Sequence, residues 1–471
     1  DADETATENP GSSCPLARFR YALPHMNSTT LSCTPGSWLR HVIGLALVAA
    51  GGFESLVLAS ERRPTAELIA APDPGWPQFR GPSRDGVSNE RGLLQSWPEG
   101  GPKQLWSVGG LGRGFSSPII SNGRLFITGD HEGELHLFAF DLAGRELWRT
   151  KNGLAWSRDY PGARSSVAYS DGRVYHQNAH GRLACFEAAT GRELWAVSLL
   201  ERFDGGNITW GLSECPLVDE QAVYATAGGS KALVVAFDKR TGELLWQSES
   251  LRAADGDRAV ENASYVSPIL VKFAGKRLLI GCSLKHLYCV DADTGKLQWT
   301  VPRPTRYGVL AMMPVLVGDA VFITATHGPP GQLYRLLAPE QPGGVVGVAP
   351  DWTTELDTCQ GGVVLVDGKL YGSYYPGRKG WAALNAATGE VLYEETSFVK
   401  GAILAADQRL YALSEDGWMR LLEPHADRFE VKGQFRLASA RNDAWAHPVI
   451  HEGQMYLRYH EELRCYEVRA N

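Results

Sequence analysis

From Gln104 to the end of the chain, apolar and polar residues alternate in short runs broken by Gly, Asn and Asp, the pattern of half-buried β-strands joined by tight turns. SSPIISNGRLFITG from Ser116, SSVAYSDGRVYHQ from Ser165, SPILVKFAGKRLLIG from Ser267 and GVVLVDGKLYG from Gly362 each read as a hairpin. A second phrase follows such hairpins: CFEAATGRELW ending at Trp195, AFDKRTGELLW at Trp246, CVDADTGKLQW at Trp299, ALNAATGEVLY at Tyr393 and a shortened AFDLAGRELW at Trp148. This phrase is also two strands about a turn. Gly191, Gly242, Gly295 and Gly389 supply the positive φ that the turn requires, and Asp238 or Asn385 is placed to bond backbone amides two residues on.

The aromatic anchors recur at a period of roughly 50 residues, which is the length of a four-stranded propeller blade rather than of a helical repeat. Inner-hairpin signals begin near Phe115, Ala163, Leu212, Tyr265, Val309, Gln360, Lys400 and Ala444. The last segment, AHPVIHEGQMYLRYHEELRCYEV, has only three strands, and an orphan strand around Trp106 precedes the first blade. These counts predict an all-β fold, an eight-bladed β-propeller of four-stranded antiparallel blades, whose ring is closed when the N-terminal strand completes the last blade. The predicted organisation is an N-terminal extension with a signal peptide over 1–60, an extended lead-in over 61–101 and the propeller over 102–471. Trp76, Phe79 and Trp97 are expected to pin the Pro- and Gly-rich lead-in to the propeller surface.

Composition changes this picture at three points. The apolar run Val42–Gly52 follows Arg40 and His41 and is too short to span a bilayer, so it reads as a signal sequence that opens after Met26 and predicts export to the periplasm or cell envelope. No membrane span is expected in the mature form, which is expected to be a monomer. A formal charge of −7 with interleaved signs argues against a nucleic-acid partner. Cys185, Cys289 and Cys465 share one repeat position with Ala139, Ala236 and Ala383, so they are expected in different blades as small core residues rather than in disulfides. No CxxC motif is present to suggest zinc or thiol redox chemistry.

The repeat A-x-D-x-x-T-G-x-x-x-W, complete from Ala236 to Trp246, resembles that of the quinoprotein-type, pyrroloquinoline quinone (PQQ)-like repeat propellers, over roughly residues 102–471. The lead-in WPQFRGPSRDGVS from Trp76 resembles a segment of PQQ-like repeat proteins of planctomycete type. The resemblance implies that Trp148, Trp195, Trp246, Trp299 and Trp352 form a structural girdle between blades. It also implies two functions. Dehydrogenases of the family bind PQQ with calcium over the channel and carry vicinal cysteines, which are absent here. Other members are non-catalytic envelope proteins, including the propeller of the outer-membrane β-barrel assembly machine.

Loops entering the innermost strands should converge on one face. There, Arg113, Arg158, Arg164 and Arg306 are candidates to attract an anionic ligand, such as a tricarboxylated quinone or an acidic glycan, with Trp210 or Trp445 stacking on it. Asn207 and Asn262 complete the predicted binding face. Glu214 and Asn262 are the candidate metal ligands, and Asp443, Glu214 and His447 the candidate catalytic groups. Absent catalytic motifs favour a binding or scaffold protein that engages an envelope protein or glycan. A PQQ-dependent oxidoreductase and a carbohydrate-active enzyme using paired carboxylates are the alternatives.

Overall fold

The computed structural model describes residues 64–251, 261–375, 378–437 and 441–470. The apolar run Val42–Gly52 and the rest of the predicted signal segment lie outside them.

Eight antiparallel sheets follow one another along the chain. Their first strands are Ile119–Ser121, Ala168–Ser170, Leu217–Val218, Ile269–Phe273, Val315–Val317, Val363–Val366, Gly401–Ala406 and Val449–His451. First strands of neighbouring blades lie against one another, so they line the central channel. A short helix, Leu199–Phe203, joins blades two and three. Among the described residues no helix is long and apolar enough to cross a membrane.

The repeat phrase folds as its chemistry requires. Asp238 Oδ1 accepts the amides of Arg240 and Thr241, and Gly242 closes the turn at φ 74°. The small residue opening the phrase stands directly opposite the aromatic that ends it: Ala139 faces Trp148, Cys185 faces Trp195, Ala236 faces Trp246 and Cys289 faces Trp299. A bulge follows the small residue in each of these pairs and turns the indole outward toward the next blade. Ala and Cys therefore alternate at this position because a larger side chain would occupy the space under the ring. All six cysteines among the described residues are free.

Each docked indole bridges two blades. Trp148 Nε1 donates to the Ala188 carbonyl at 3.0 Å, Trp195 to Lys239 at 3.2 Å and Trp246 to Ala292 at 3.0 Å. Each ring also covers the turn glycine of the following blade, Gly191, Gly242 and Gly295, where a Cβ would sit 2.6 Å from ring carbon. Trp299 departs from this pattern. Blade five joins its last two strands through the longer segment 338–346, which lacks the D-x-x-T-G turn, and the buried Trp299 Nε1 has no acceptor.

The orphan strand Gln104–Val108 pairs with Glu462–Glu467, the third strand of blade eight. Trp106 then repeats the girdle contact, donating to Leu142 of blade one at 3.0 Å and covering Gly144. The ring closes on this strand.

The lead-in runs along the innermost strands as far as Ser88, and then residues 93–101 pack over the outer strands of blades seven and eight, where the Trp97 amide donates to the Lys432 carbonyl at 2.8 Å. Glu67–Leu68 pairs antiparallel with the innermost strand of blade four, and Val87–Ser88 pairs parallel with that of blade seven. Trp76 bridges Ile120 of blade one, and Pro77 accepts the amide of Tyr169 in blade two. The innermost strands have an unpaired edge facing the channel, and a Pro- and Gly-rich chain satisfies several of these edges without forming a long strand. Trp76 and Trp97 are buried in the core cluster that blades one, two, seven and eight share.

Candidate functional site

With the lead-in across it, the channel becomes a cup of about 460 Å3, open on the face where the chain enters the innermost strands. Phe115, Tyr160, Trp210 and Tyr265 line it from the entries of blades one to four. Tyr307, Tyr375 and Trp445 complete the wall from blades five, six and eight. Phe115 lies 4.6 Å from Trp445, Tyr160 lies 5.3 Å from Trp445, and Trp210 lies 5.9 Å from Tyr265, ring centre to ring centre.

Phe79 and Arg80 of the lead-in lie at the floor of the cup, Phe79 meeting the edge of His447 at 5.0 Å. Arg80 donates to the carbonyls of Val363 at 2.6 Å and Asp85 at 2.9 Å, while Arg84 donates to Cys215 at 3.0 Å and Pro216 at 3.1 Å. Both arginines are buried and left-handed, at φ 64° and 59°. Burial pulls each guanidinium down to about 10, which leaves it charged at any ordinary pH. These arginines tie the plug to blades six and three. Neither arginine stood out before the fold was known, because nothing local in F-R-G-P-S-R-D-G marks the carbonyls that they reach.

Of the predicted binding face, Arg164, Trp210 and Trp445 line the cup. Arg164 is spent on structure: Nε donates to Trp210 O at 2.6 Å, Nη1 to Gly162 O at 2.7 Å and Nη2 to Tyr160 O at 2.8 Å, knitting two entry loops together. Arg113, Arg158 and Arg306 are exposed beside the cup, each one or two residues from a lining aromatic. Arg158 lies over Trp156 and Arg306 over Tyr307. Asn207 and Asn262 do not line the cup; Asn207 donates to Ala179 O, and Asn262 Oδ1 accepts the Gly206 amide.

The three candidate catalytic groups are each committed to internal bonds. Glu214 is buried with both carboxyl oxygens on the Thr226 amide, at 3.0 and 3.1 Å, and burial raises it to about 7. Asp443 accepts from Tyr459 Oη and His460 Nε2, both at 2.8 Å, and these bonds hold its carboxyl below the usual range against the cost of burial. His447 Nε2 sits 2.9 Å from the Gln360 carbonyl, which fixes the proton there, and Nδ1 faces Arg80 Nη1 at 3.3 Å. Burial holds this imidazole down to about 3, so it is neutral and has no free lone pair.

Among the described residues no carboxylate lines the cup. A calcium-bound quinone does not fit this donor set, because calcium takes six to eight oxygen ligands, carboxylates foremost, and Arg80 and Arg164 would repel it. Nor is a carboxylate pair present there for glycoside hydrolysis. Glu415 lies in an adjoining crevice, hydrogen-bonded to Gln360 and ion-paired with Lys400. Glu423, His425 and Glu430 form a cluster on the outer hairpin of blade seven, where Lys432 bridges the two carboxylates at 3.4 and 3.0 Å.

Comparison with known proteins agrees with this architecture. The sequence is 27% identical over 228 residues to outer membrane protein assembly factor BamB of Burkholderia pseudomallei, covering 46% of this chain and 52% of that protein. The chain thus spans about half the length of that relative. It is also 27% identical over 172 residues to the quinohemoprotein alcohol dehydrogenase ADH IIB of Pseudomonas putida, covering 32% of this chain and 22% of that protein. The crystal structure of BamB from Moraxella catarrhalis superposes with a TM-score of 0.54 at 14% identity, covering 78% of this chain and 98% of that one, a likeness of fold. The family profile described as outer membrane protein assembly factor BamB matches residues 132–378, a little more than half of the 471, and the chain therefore belongs to that family of PQQ-like repeat β-propellers.

Proposed function

We propose that this chain is a non-catalytic binding propeller of the cell envelope, exported and holding an envelope partner in the aromatic cup. The observation that carries this reading is the commitment of Glu214, Asp443 and His447 to internal bonds, while the cup itself presents rings and hydroxyls. The likeness to assembly factors of the outer membrane supports an envelope setting. The alternative, a PQQ-dependent dehydrogenase, has the quinohemoprotein likeness in its favour and the carboxylate-free cup against it. Calorimetric titration of the full chain with PQQ, with and without Ca2+, followed by dye reduction over an alcohol and sugar panel, separates the two. The expected result is no saturable heat and no turnover; calcium-dependent binding with turnover would make the protein a dehydrogenase.

A further inference from the structure

We infer that the cup binds the end of an acidic glycan, a chain of sugar rings bearing carboxylate or sulfate groups; this names the partner class of the binding-propeller reading and rests on it. Three features of the molecule converge on that chemistry.

The first is a set of unpaired cations at the mouth. Away from the mouth several arginines sit in ion pairs, as Arg145 with Asp141 at 2.6 Å, Arg149 with Glu146 at 2.7 Å and Arg335 with Asp319 at 2.7 Å. In the entry loops around the mouth, Arg113, Arg158, Arg306 and Arg441 are exposed, and among the described residues none has a carboxylate at ion-pair distance. Exposed carboxylates stand in loops of the same face, Glu132, Asp159, Asp204, Glu355 and Glu461 among them, but none pairs with these four arginines. Below it, Arg164 and Arg80 hydrogen-bond to carbonyls and an imidazole, with the carboxyls of Asp130 and Asp85 near enough to act on their charge but not in contact. An anion entering here meets guanidinium groups that it can pair with directly, without having to displace a carboxylate from any of them.

The second is the tilt of the walls. Phe115 and Trp445 meet at 31°, Tyr160 and Trp445 at 54°, and Tyr307 and His327 at 87°. A flat fused-ring ligand is held best between parallel faces, whereas a puckered sugar ring offers C–H bonds to several tilted rings and hydroxyls to phenols and backbone. The third is the floor. Because Phe79 and Arg80 close the channel from below, a polymer is able to insert an end but not to thread through.

The test is calorimetric titration of the full chain with trigalacturonate and with a sulfated galactose trimer, against neutral galactotriose and a short polyglutamate peptide. At least one acidic glycan should bind saturably, at least tenfold more tightly than galactotriose and than the peptide, and weaken as salt rises. Arg113→Ala with Arg306→Ala should lower that affinity about tenfold, Trp445→Ala should do so by a similar factor, and Arg145→Ala, away from the mouth, should leave it unchanged. Thermal melts of each variant show that the fold is intact. Equal binding of galactotriose, preference for the peptide, or no binding of either acidic glycan would overturn the inference. In the last case, absence of PQQ binding would leave the binding-propeller reading standing, whereas PQQ binding with turnover would remove both.

Discussion

Arg80 Nη1 meets His447 Nδ1 at 3.3 Å across the floor of the cup, joining the lead-in to the entry of blade eight from positions 367 residues apart. The contact requires a neutral imidazole, and the guanidinium beside it helps to keep it neutral. Arg80→Met would retain bulk but strip the hydrogen bonds to Val363 and Asp85 and leave those acceptors buried. The expected loss is about 2–4 kcal/mol in a denaturant melt, with earlier proteolysis of the lead-in.

The same pair sets an acid limb of stability. His447 is held down to about 3 and so is His176, both by burial. Below the ordinary imidazole range the unfolded chain binds protons that the folded chain refuses, so stability falls as pH drops from about 6.5 toward 3, by about 2 kcal/mol per histidine at pH 5. His447→Gln keeps a donor for the Gln360 carbonyl and does not titrate. Its melts should show a smaller stability difference between pH 8 and pH 5, by about that amount.

Glu214 acts in the opposite direction. Its carboxyl is raised to about 7, so between about 4.5 and 7 the folded chain holds a proton that the unfolded chain has released. Its destabilising effect is complete above pH 7, on the order of 3 kcal/mol, and is relieved as pH falls. Glu214→Gln should therefore stabilise the protein by about 1–3 kcal/mol at pH 8 and hardly at all at pH 5, as read from urea midpoints at the two pH values. A Glu214 that served as a metal ligand would instead show a gain in stability on adding Ca2+, lost in the variant.

How much of this was legible in the sequence differs between ring and cup. The ring was legible because most blades repeat one local solution, a small residue, a turn glycine and a terminal aromatic, whose period could be read along the chain; that Ala236 and Trp246 stand opposite one another came from the structure. The closing strand followed from a strand count. The cup was legible only in part. Trp210, Trp445 and Arg164 are at the entries where the loop count placed them, whereas Glu214 looked like a ligand and lies behind the wall. Side-chain direction in a loop depends on tertiary packing, which no periodicity encodes. Least legible was the lead-in. A segment without regular structure takes its course from the unpaired edges it finds, and the edges that Glu67–Leu68 and Val87–Ser88 satisfy belong to blades four and seven.

The girdle makes a comparison possible within one protein. Trp195 and Trp299 occupy the same repeat position and face the same small residue, but only Trp195 has an acceptor for its indole. Replacing each by Phe removes one ring and one N–H. At Trp195 the loss includes one hydrogen bond to the Lys239 carbonyl, which keeps Tyr175 Oη as its other donor at 3.0 Å, about 1 kcal/mol beyond the packing cost. At Trp299 the substitution removes a buried N–H that was unpaired, which offsets part of the packing cost. Trp195→Phe should therefore be the more destabilising of the two by about 1–2 kcal/mol in urea melts, and equal losses would mean that the indole hydrogen bonds contribute nothing.

Ring closure gives the last prediction. Trp106 is the girdle tryptophan of a blade whose strands come from both ends of the described chain, and its indole spans from that blade to Leu142 and Gly144 of blade one. Every other blade is one unbroken stretch of chain, but in blade eight the closing strand joins the other three strands by pairing alone, and its indole, with the Arg458 and His447 bonds to Ser116 and Ser117, fastens that blade to blade one. Trp106→Ala should cost about 3–5 kcal/mol, similar to other large aromatic truncations. Its consequence should be local before it is global: amide exchange should speed up first in Gln454–Tyr459 and Glu462–Glu467, whose pairing the closing strand completes. The equivalent Trp246→Ala, flanked by blades in unbroken sequence, should accelerate exchange without singling out one blade. If both variants opened the same region, the closing strand would have no special part in holding the ring.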